Sequence, residues 1–234
     1  MNYWNQSKSP YYSFIFLLPL ILIYEFGIIA VQKIDLPAVR NGADILLRRL
    51  LDSFGIASLY SIGLIMIICT ILAYGIHRRK WNDSRINGRF LFLMLVESTV
   101  LGLFLYFIIN NLSFLSAGKS NLVLQQIVLS LGAGIYEEFV FRVVLIIGLS
   151  AVFGFIFQWK VPVKSIAAII GASILFSIFH FVGEFGDSPT WYLFLIRFGA
   201  GVVLGTIYFL RGYGIAACAH SIYNLAVLTE VVTS

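Results

Sequence analysis

The chain has 234 residues, 60% of them hydrophobic and only 12% charged, with a mean hydropathy of +0.93. A soluble domain is about half apolar and a quarter charged, so this composition excludes an ordinary soluble enzyme and predicts an integral membrane protein. The net charge of +5 does not mark a nucleic-acid binder, because the basic residues gather at the ends of apolar runs, where they set topology.

Taken in order, the first apolar run covers residues 12–31 and carries Pro19 and Glu25. Lys8 precedes it and no small-residue cleavage site follows, so it reads as a retained helix. Residues 40–54 change character. Leu46, Leu47, Leu50, Leu51 and Phe54 share one helical face, and Asp44, Arg48 and Asp52 form an i,i+4 ladder on another. That segment is too polar to cross a bilayer and predicts an amphipathic helix lying in the interface. A second span at 56–76 leads into a basic loop with His77, Arg78, Arg79, Lys80, Arg85 and Arg89. His77 is expected to be solvated there. The third span, 90–110, contains Glu97. A polar turn follows, ending at Ser120 or Asn121 as a helix cap.

The next run, 122–157, is about 54 Å long if helical, too long for one perpendicular span. It is either a long tilted helix or one broken near Gly132 and Gly134. After the turn at 160–164 come spans at 163–182, 190–210 and 215–232. The sixth holds Arg197 and Gly201-x-x-x-Gly205, a close-packing face. The expected fold is all-α: a polytopic membrane helical bundle of about seven transmembrane helices plus the interfacial helix. Residues 1–234 form a single integral membrane domain, with N-terminal helices in 1–121 and a second helical part in 122–234. Basic residues number nine on the side of Lys8 and five on the other, which places the N-terminus in the cytoplasm. Cys69 and Cys218 are expected as free buried thiols.

Ionisable groups inside apolar runs are expensive and mark either a function or a buried pair. Glu137 and Glu138 are adjacent, and Arg142 lies one turn beyond Glu138. An acid four residues before a base is the favourable order, so Glu138 and Arg142 suit a supporting ion pair. Glu137 points about 100° away, without a local partner, and suits a general base. Of three histidines, His180 and His220 fall in apolar spans. Phe176 lies one turn before His180 and can wall its ring. Asn224 lies one turn after His220, so the two can direct donors at one point, as in an oxyanion hole. No His-Glu-x-x-His occurs, which removes one helix-borne zinc pair.

The ordered set Glu137-Glu138-x-x-x-Arg142, Phe176-x-x-x-His180 and His220-x-x-x-Asn224 resembles the signature of the CPBP family, the CAAX-protease and bacteriocin-processing (Abi) intramembrane endopeptidases. The resemblance covers about half of the chain, 122–232. It implies a helical bundle whose site opens within the membrane. It also implies that Glu137 and His180 activate a water for attack on a peptide carbonyl, and that His220 and Asn224 stabilise the oxyanion. Glu138 and Arg142 would support the site. The implied substrate is a membrane-embedded or lipidated peptide or protein in the bilayer, and the implied location is a bacterial plasma membrane. Glu137, His180 and His220 are also a possible zinc ligand set, as in a metalloendopeptidase; the metal-free mechanism is the one expected. The alternative is a non-catalytic transporter, or an immunity or scaffold protein with a polar peptide-binding pocket, using Glu25, Glu97 and Arg197.

Overall fold

The computed structural model describes residues 2–32, 41–55, 61–81, 86–112, 123–182 and 186–233. The expected topology residues Lys33, Arg40, Arg85 and Lys119, and the cap at Ser120 or Asn121, lie outside these. Every regular element among the described residues is a helix: α1 Tyr3–Ser7, α2 Pro10–Gln32, α3 Gly42–Ser53, α4 Ser61–Trp81 and α5 Gly88–Leu112. One continuous helix then runs from 123 to 157. It comprises α6 Val123–Gly132, two π-helical stretches Ala133–Glu137 and Phe139–Ile146, and α7 Ile147–Phe157. Three more follow: α8 Val161–Phe179, α9 Trp191–Arg211 and α10 Tyr213–Thr233.

Among the described residues, five helices are long and apolar enough to cross a membrane: Pro10–Val31, Gly88–Ile109, Val123–Phe157, Val161–Phe179 and Trp191–Arg211. α4 and α10 occupy the two other expected spans but are not among the five, so the count of seven is not confirmed. At most 39% of each span's apolar window is buried within the protein. The remaining apolar surface, including Phe26, Phe155 and Trp191, points outward. That is the distribution of a bundle solvated by lipid, and the chain is a multi-pass integral membrane protein.

α10 is the central helix, packed on α2, α5, α6 and α9, with residues 211–221 wholly buried. Small residues permit this closeness. A Cβ at Gly102 of α5 would stand 2.6 Å from the Ala219 carbonyl of α10. The Gly201-x-x-x-Gly205 face meets α8, where added Cβ atoms would stand 3.0 Å from Ser173 and from Ile169. Lipid supplies little hydrophobic drive between helices, so backbone approach of this kind is what holds them. Cys69 and Cys218 are free thiols; Cys218 is buried and Cys69 half-buried.

Two details differ from the sequence reading. His77 is buried and stacks on Tyr11 with ring centroids 4.4 Å apart. α4 continues through the start of the basic loop to Trp81, which carries His77 into the bundle. α3 is amphipathic, but Asp44 and Arg48 of its polar face turn inward, while Asp52 stays exposed. Asp44 is fully buried, accepts the Tyr24 hydroxyl at 2.8 Å and pairs with Arg48 at 2.7 Å. Leu47 and Leu51 pack on the core, whereas Leu46, Leu50 and Phe54 remain exposed. The helix is therefore docked by its charges and turns only part of its leucine face outward.

Candidate functional site

The site is built on the π-helical part of the long helix. A π-turn widens the helix and leaves irregular backbone, a feature enriched at functional positions. Here the two π stretches flank Glu138. The carbonyl of Ile135 in the first stretch accepts the Tyr213 hydroxyl at 2.9 Å, tying it to the start of α10. Glycine at 134 lets α10 approach: a Cβ there would lie 2.0 Å from Ser221 Oγ and 2.6 Å from the Ala217 carbonyl. The helix runs on through Gly132 and Gly134 without a break.

The adjacent carboxylates face different neighbours. Glu137, 7% exposed, accepts a hydrogen bond from Asn41 Nδ2 at 2.9 Å on Oε1, and turns Oε2 toward His180 Nε2 at 4.0 Å. His180 caps the end of α8, and its Nδ1 lies 2.8 Å from the Phe176 carbonyl. A carbonyl only accepts, so Nδ1 carries the proton and Nε2 presents its lone pair to Glu137. Oε2 and Nε2 are thus two acceptors facing each other across 4.0 Å. Two acceptors so placed can share one molecule that has two O–H donors.

Glu138 is fully buried. Its Oε1 lies 2.8 Å from His220 Nδ1 and 3.0 Å from Arg142 Nη1. The arginine contact is a charge contact without hydrogen-bond alignment, and Glu138 Oε2 has no hydrogen-bond partner among the described residues. Arg142, 2% exposed, also reaches the Gly201 carbonyl at 3.5 Å and lies 4.6 Å over the Phe176 ring. Phe176 stands at the centre of the aromatic wall. It is edge-on to His180 at 4.7 Å and 6.4 Å from His220. Buried charges of this kind are tolerable only when paired, and removing one partner costs about 3–5 kcal/mol.

The structure therefore joins Glu137 with His180, and Glu138 with both His220 and Arg142. Asn224 lies one turn past His220, half-buried, with no side-chain hydrogen bond among the described residues. The zinc set Glu137, His180 and His220 is not gathered at one point among the described residues; Glu138 holds His220 by Nδ1. Among the described residues, no three His, Cys, Asp or Glu stand where they could share a metal. As placed, these donors do not fit a zinc ion.

Sequence reasoning missed Asn41. Asn-Gly-Ala-Asp is legible as a helix start, and Asn41 Oδ1 does accept the Ala43 N–H at 2.9 Å. That its amide also reaches a carboxylate 96 positions away has no local signal. The turn lies against the site: a Cβ at Gly42 would meet the Phe179 ring at an ordinary contact distance of 3.4 Å. Beside it, Tyr136 donates to Glu25 at 2.9 Å, and Glu25 lies 3.6 Å from Arg48 of α3. Glu25 is thus bonded to neighbouring helices.

Fold and site together define a polytopic membrane protein with a buried carboxylate–histidine centre between helices. Residues 119–226 match the family model described as type II CAAX prenyl endopeptidase, Rce1-like. The match contains Glu137, Glu138, Arg142, His180, His220 and Asn224, and leaves α1 to α5 outside. No curated protein and no solved structure matches the chain.

Proposed function

We propose that the chain is an intramembrane endopeptidase that hydrolyses a peptide bond near the C-terminus of a prenylated or otherwise membrane-anchored protein. Residues 122–234 serve as the catalytic core in this reading, and the N-terminal helices shape access to it. The observation that carries the reading is the pair of acceptors Glu137 Oε2 and His180 Nε2, 4.0 Å apart. A water donating one hydrogen to each keeps its lone pairs free for a carbonyl carbon. Glu137 takes a proton as the water oxygen attacks, and the carbonyl oxygen becomes an oxyanion. Asn224 Nδ2 donates to that oxygen. His220 does so as the imidazolium, because its Nδ1–H is engaged by Glu138 and only Nε2–H remains to give. Glu138 balances that positive charge, while Arg142 holds Glu138. When the tetrahedral carbon collapses, the C–N bond breaks and Glu137 returns its proton to the leaving nitrogen. The second hydrogen of the water stays on the new carboxyl group, so the products are a carboxylic acid and an amine, with one water consumed.

The sequence is drawn without a metal; that no three His, Cys, Asp or Glu among the described residues gather at one point supports this reading. The test is cleavage of a prenylated peptide ending in a Cys-aliphatic-aliphatic-X sequence by the purified protein. Glu137→Gln should lower kcat by about 10²–10⁴-fold, the usual contribution of a general base, with its thermal unfolding unchanged. Equal cleavage by wild type and variant would refute the proposal. Exhaustive chelation should leave the wild-type rate intact; a loss restored by zinc would overturn the metal-free part alone.

A further inference from the structure

A second polar place lies at the opposite end of α8 from His180. Lys164 and His180 are 16 positions apart in sequence, about 24 Å along the helix. There the starts of three helices line one cavity of about 560 Å³, within the usual range of small-ligand sites. Pro10 and Ser13 come from the first turn of α2, Lys164 and Ser165 from that of α8, and Tyr213 opens α10. Each helix start carries N–H groups without intrahelical partners and about half a positive charge. Two helix ends oppose this field: that of α9, whose Tyr208 carbonyl is already bonded by the Gly212 N–H at 2.8 Å, and that of the five-residue α1, which closes at Lys8.

Two ammonium groups add to this field, and no carboxylate lines the cavity. Lys8 Nζ lies over the Phe209 ring at 5.4 Å. Lys164 Nζ lies along α7, where a Cβ at Gly154 would come within 3.2 Å of it. Neither lysine is in an ion pair among the described residues. Ser13 is 1% exposed, and its Oγ has no hydrogen-bond partner among the described residues. The remaining wall is apolar, with Ile146 and Ile147 from the long helix facing Phe14 of α2.

A soluble anion would use the lysines and leave the apolar wall bare. A zwitterionic lipid would bring a cation of its own toward the lysines. We propose that this cavity binds an anionic phospholipid, with its phosphate held by Lys8 and Lys164 and an acyl chain along Ile146 and Ile147. Lys160 and Arg211 stand at the same ends of α8 and α9 as the cavity, and clustered basic residues attract anionic headgroups. This site stands apart from the peptidase centre and does not depend on the reading of it.

The experiment is a lipid titration of the purified full chain in neutral detergent, read by native mass spectrometry and by thermal unfolding. Phosphatidylglycerol, phosphatidylcholine and glycerol 3-phosphate are compared. Phosphatidylglycerol should bind most tightly and raise the Tm. Lys8→Gln/Lys164→Gln should weaken that binding about 25-fold, about fivefold per lysine, and leave phosphatidylcholine binding as it was. Lys160→Gln, a basic residue at the same end but outside the cavity, should change nothing. Ile147→Trp should fill the apolar part and weaken the lipid without removing either charge, so it carries the test should the double variant fold poorly. Unchanged phosphatidylglycerol affinity in both variants overturns the proposal. Glycerol 3-phosphate binding as tightly as the lipid also overturns it, in favour of a soluble phosphate site.

Discussion

Asn41 does two things with one amide. Its Oδ1 caps α3 by accepting the Ala43 N–H, and its Nδ2 donates to Glu137 Oε1, each at 2.9 Å. The second bond leaves Oε2 as the oxygen that faces His180. Serine caps a helix about as well as asparagine but has no amide to extend. Asn41→Ser therefore separates the roles. A hydrogen bond to a charged group contributes about 1.5–3 kcal/mol, so kcat should fall about 10–100-fold with KM little changed. α3 should stay docked, which amide exchange over residues 42–53 reads directly. Wild-type kcat in this variant would show that Glu137 is held without Asn41. At the same scale, the buried Glu138 shows why two adjacent glutamates need not compete. One is committed to His220 and Arg142 within the bundle, and the other to the cleft lined by Asn41 and His180.

Among the elements, the contact of the first π stretch with α10 sets the distance between the carboxylates and His220. It exists because residue 134 has no side chain. Gly134→Ala would drive a methyl group into Ser221 Oγ and into the backbone at Ala217 and Ser221. The backbone atoms cannot swing aside, so the helices must separate. Overpacking costs about 1–3 kcal/mol, and here it also stretches the 2.8 Å contact between Glu138 and His220. The expected result is a lower Tm together with lost cleavage. Gly148→Ala is the control on the same helix, since nothing lies within 4 Å of its added Cβ. That change should be neutral or stabilising by up to about 1 kcal/mol, because alanine is the better helix former. If the two variants unfold at the same temperature, close approach at 134 is not what holds this contact. α3 is held from the other side, by Asp44 on Tyr24 and Arg48 beside Glu25. Its Leu46, Leu50 and Phe54 remain exposed.

Across the whole molecule, the intramembrane charges that a transporter would use are engaged as ties between segments. Arg211 at the end of α9 pairs with Glu97 of α5, with Nη2 2.8 Å from Oε2. It also reaches Ser7 at 3.0 Å and the Trp4 carbonyl at 3.3 Å, and lies 3.6 Å over the Trp4 ring. Tyr3 donates to Glu97 at 2.6 Å. Burial, and then the bond to Glu97, push the Tyr3 hydroxyl up to about 12, so it remains a donor throughout the neutral range. One cluster thus joins α1, α5 and α9. Arg197 pairs with Asp187 and lies 5.2 Å over the Phe181 ring, tying α9 to the loop after His180. Glu97→Gln keeps the shape of the first cluster and strips Arg211 of its counter-charge. Stability should fall by about 3 kcal/mol, measured by thermal unfolding in detergent. The protein that remains folded should cleave at the wild-type rate per molecule, because the cluster is outside the carboxylate–histidine centre. Full stability in this variant would mean that Glu97 does not anchor Arg211.

The sequence by itself determined the solvent, the class and the chemistry at stake. A chain this apolar must satisfy its backbone inside helices in lipid, and carboxylates and histidines placed in such helices are too costly to be incidental. Their i,i+4 spacings, Glu138 to Arg142 and Phe176 to His180, are local, so they could be read before any folding was known. The tertiary structure decided what spacing cannot reach. It carried α4 through His77 and buried that ring, and it turned Asp44 and Arg48 of α3 inward. It took His220 Nδ1 to Glu138, a partner 82 positions away. It also brought Asn41 to Glu137 and the starts of three helices to one cavity. Contacts between helices depend on which small residues let backbones meet, and on where distant charges find partners. Those are properties of the packed bundle, not of any one segment.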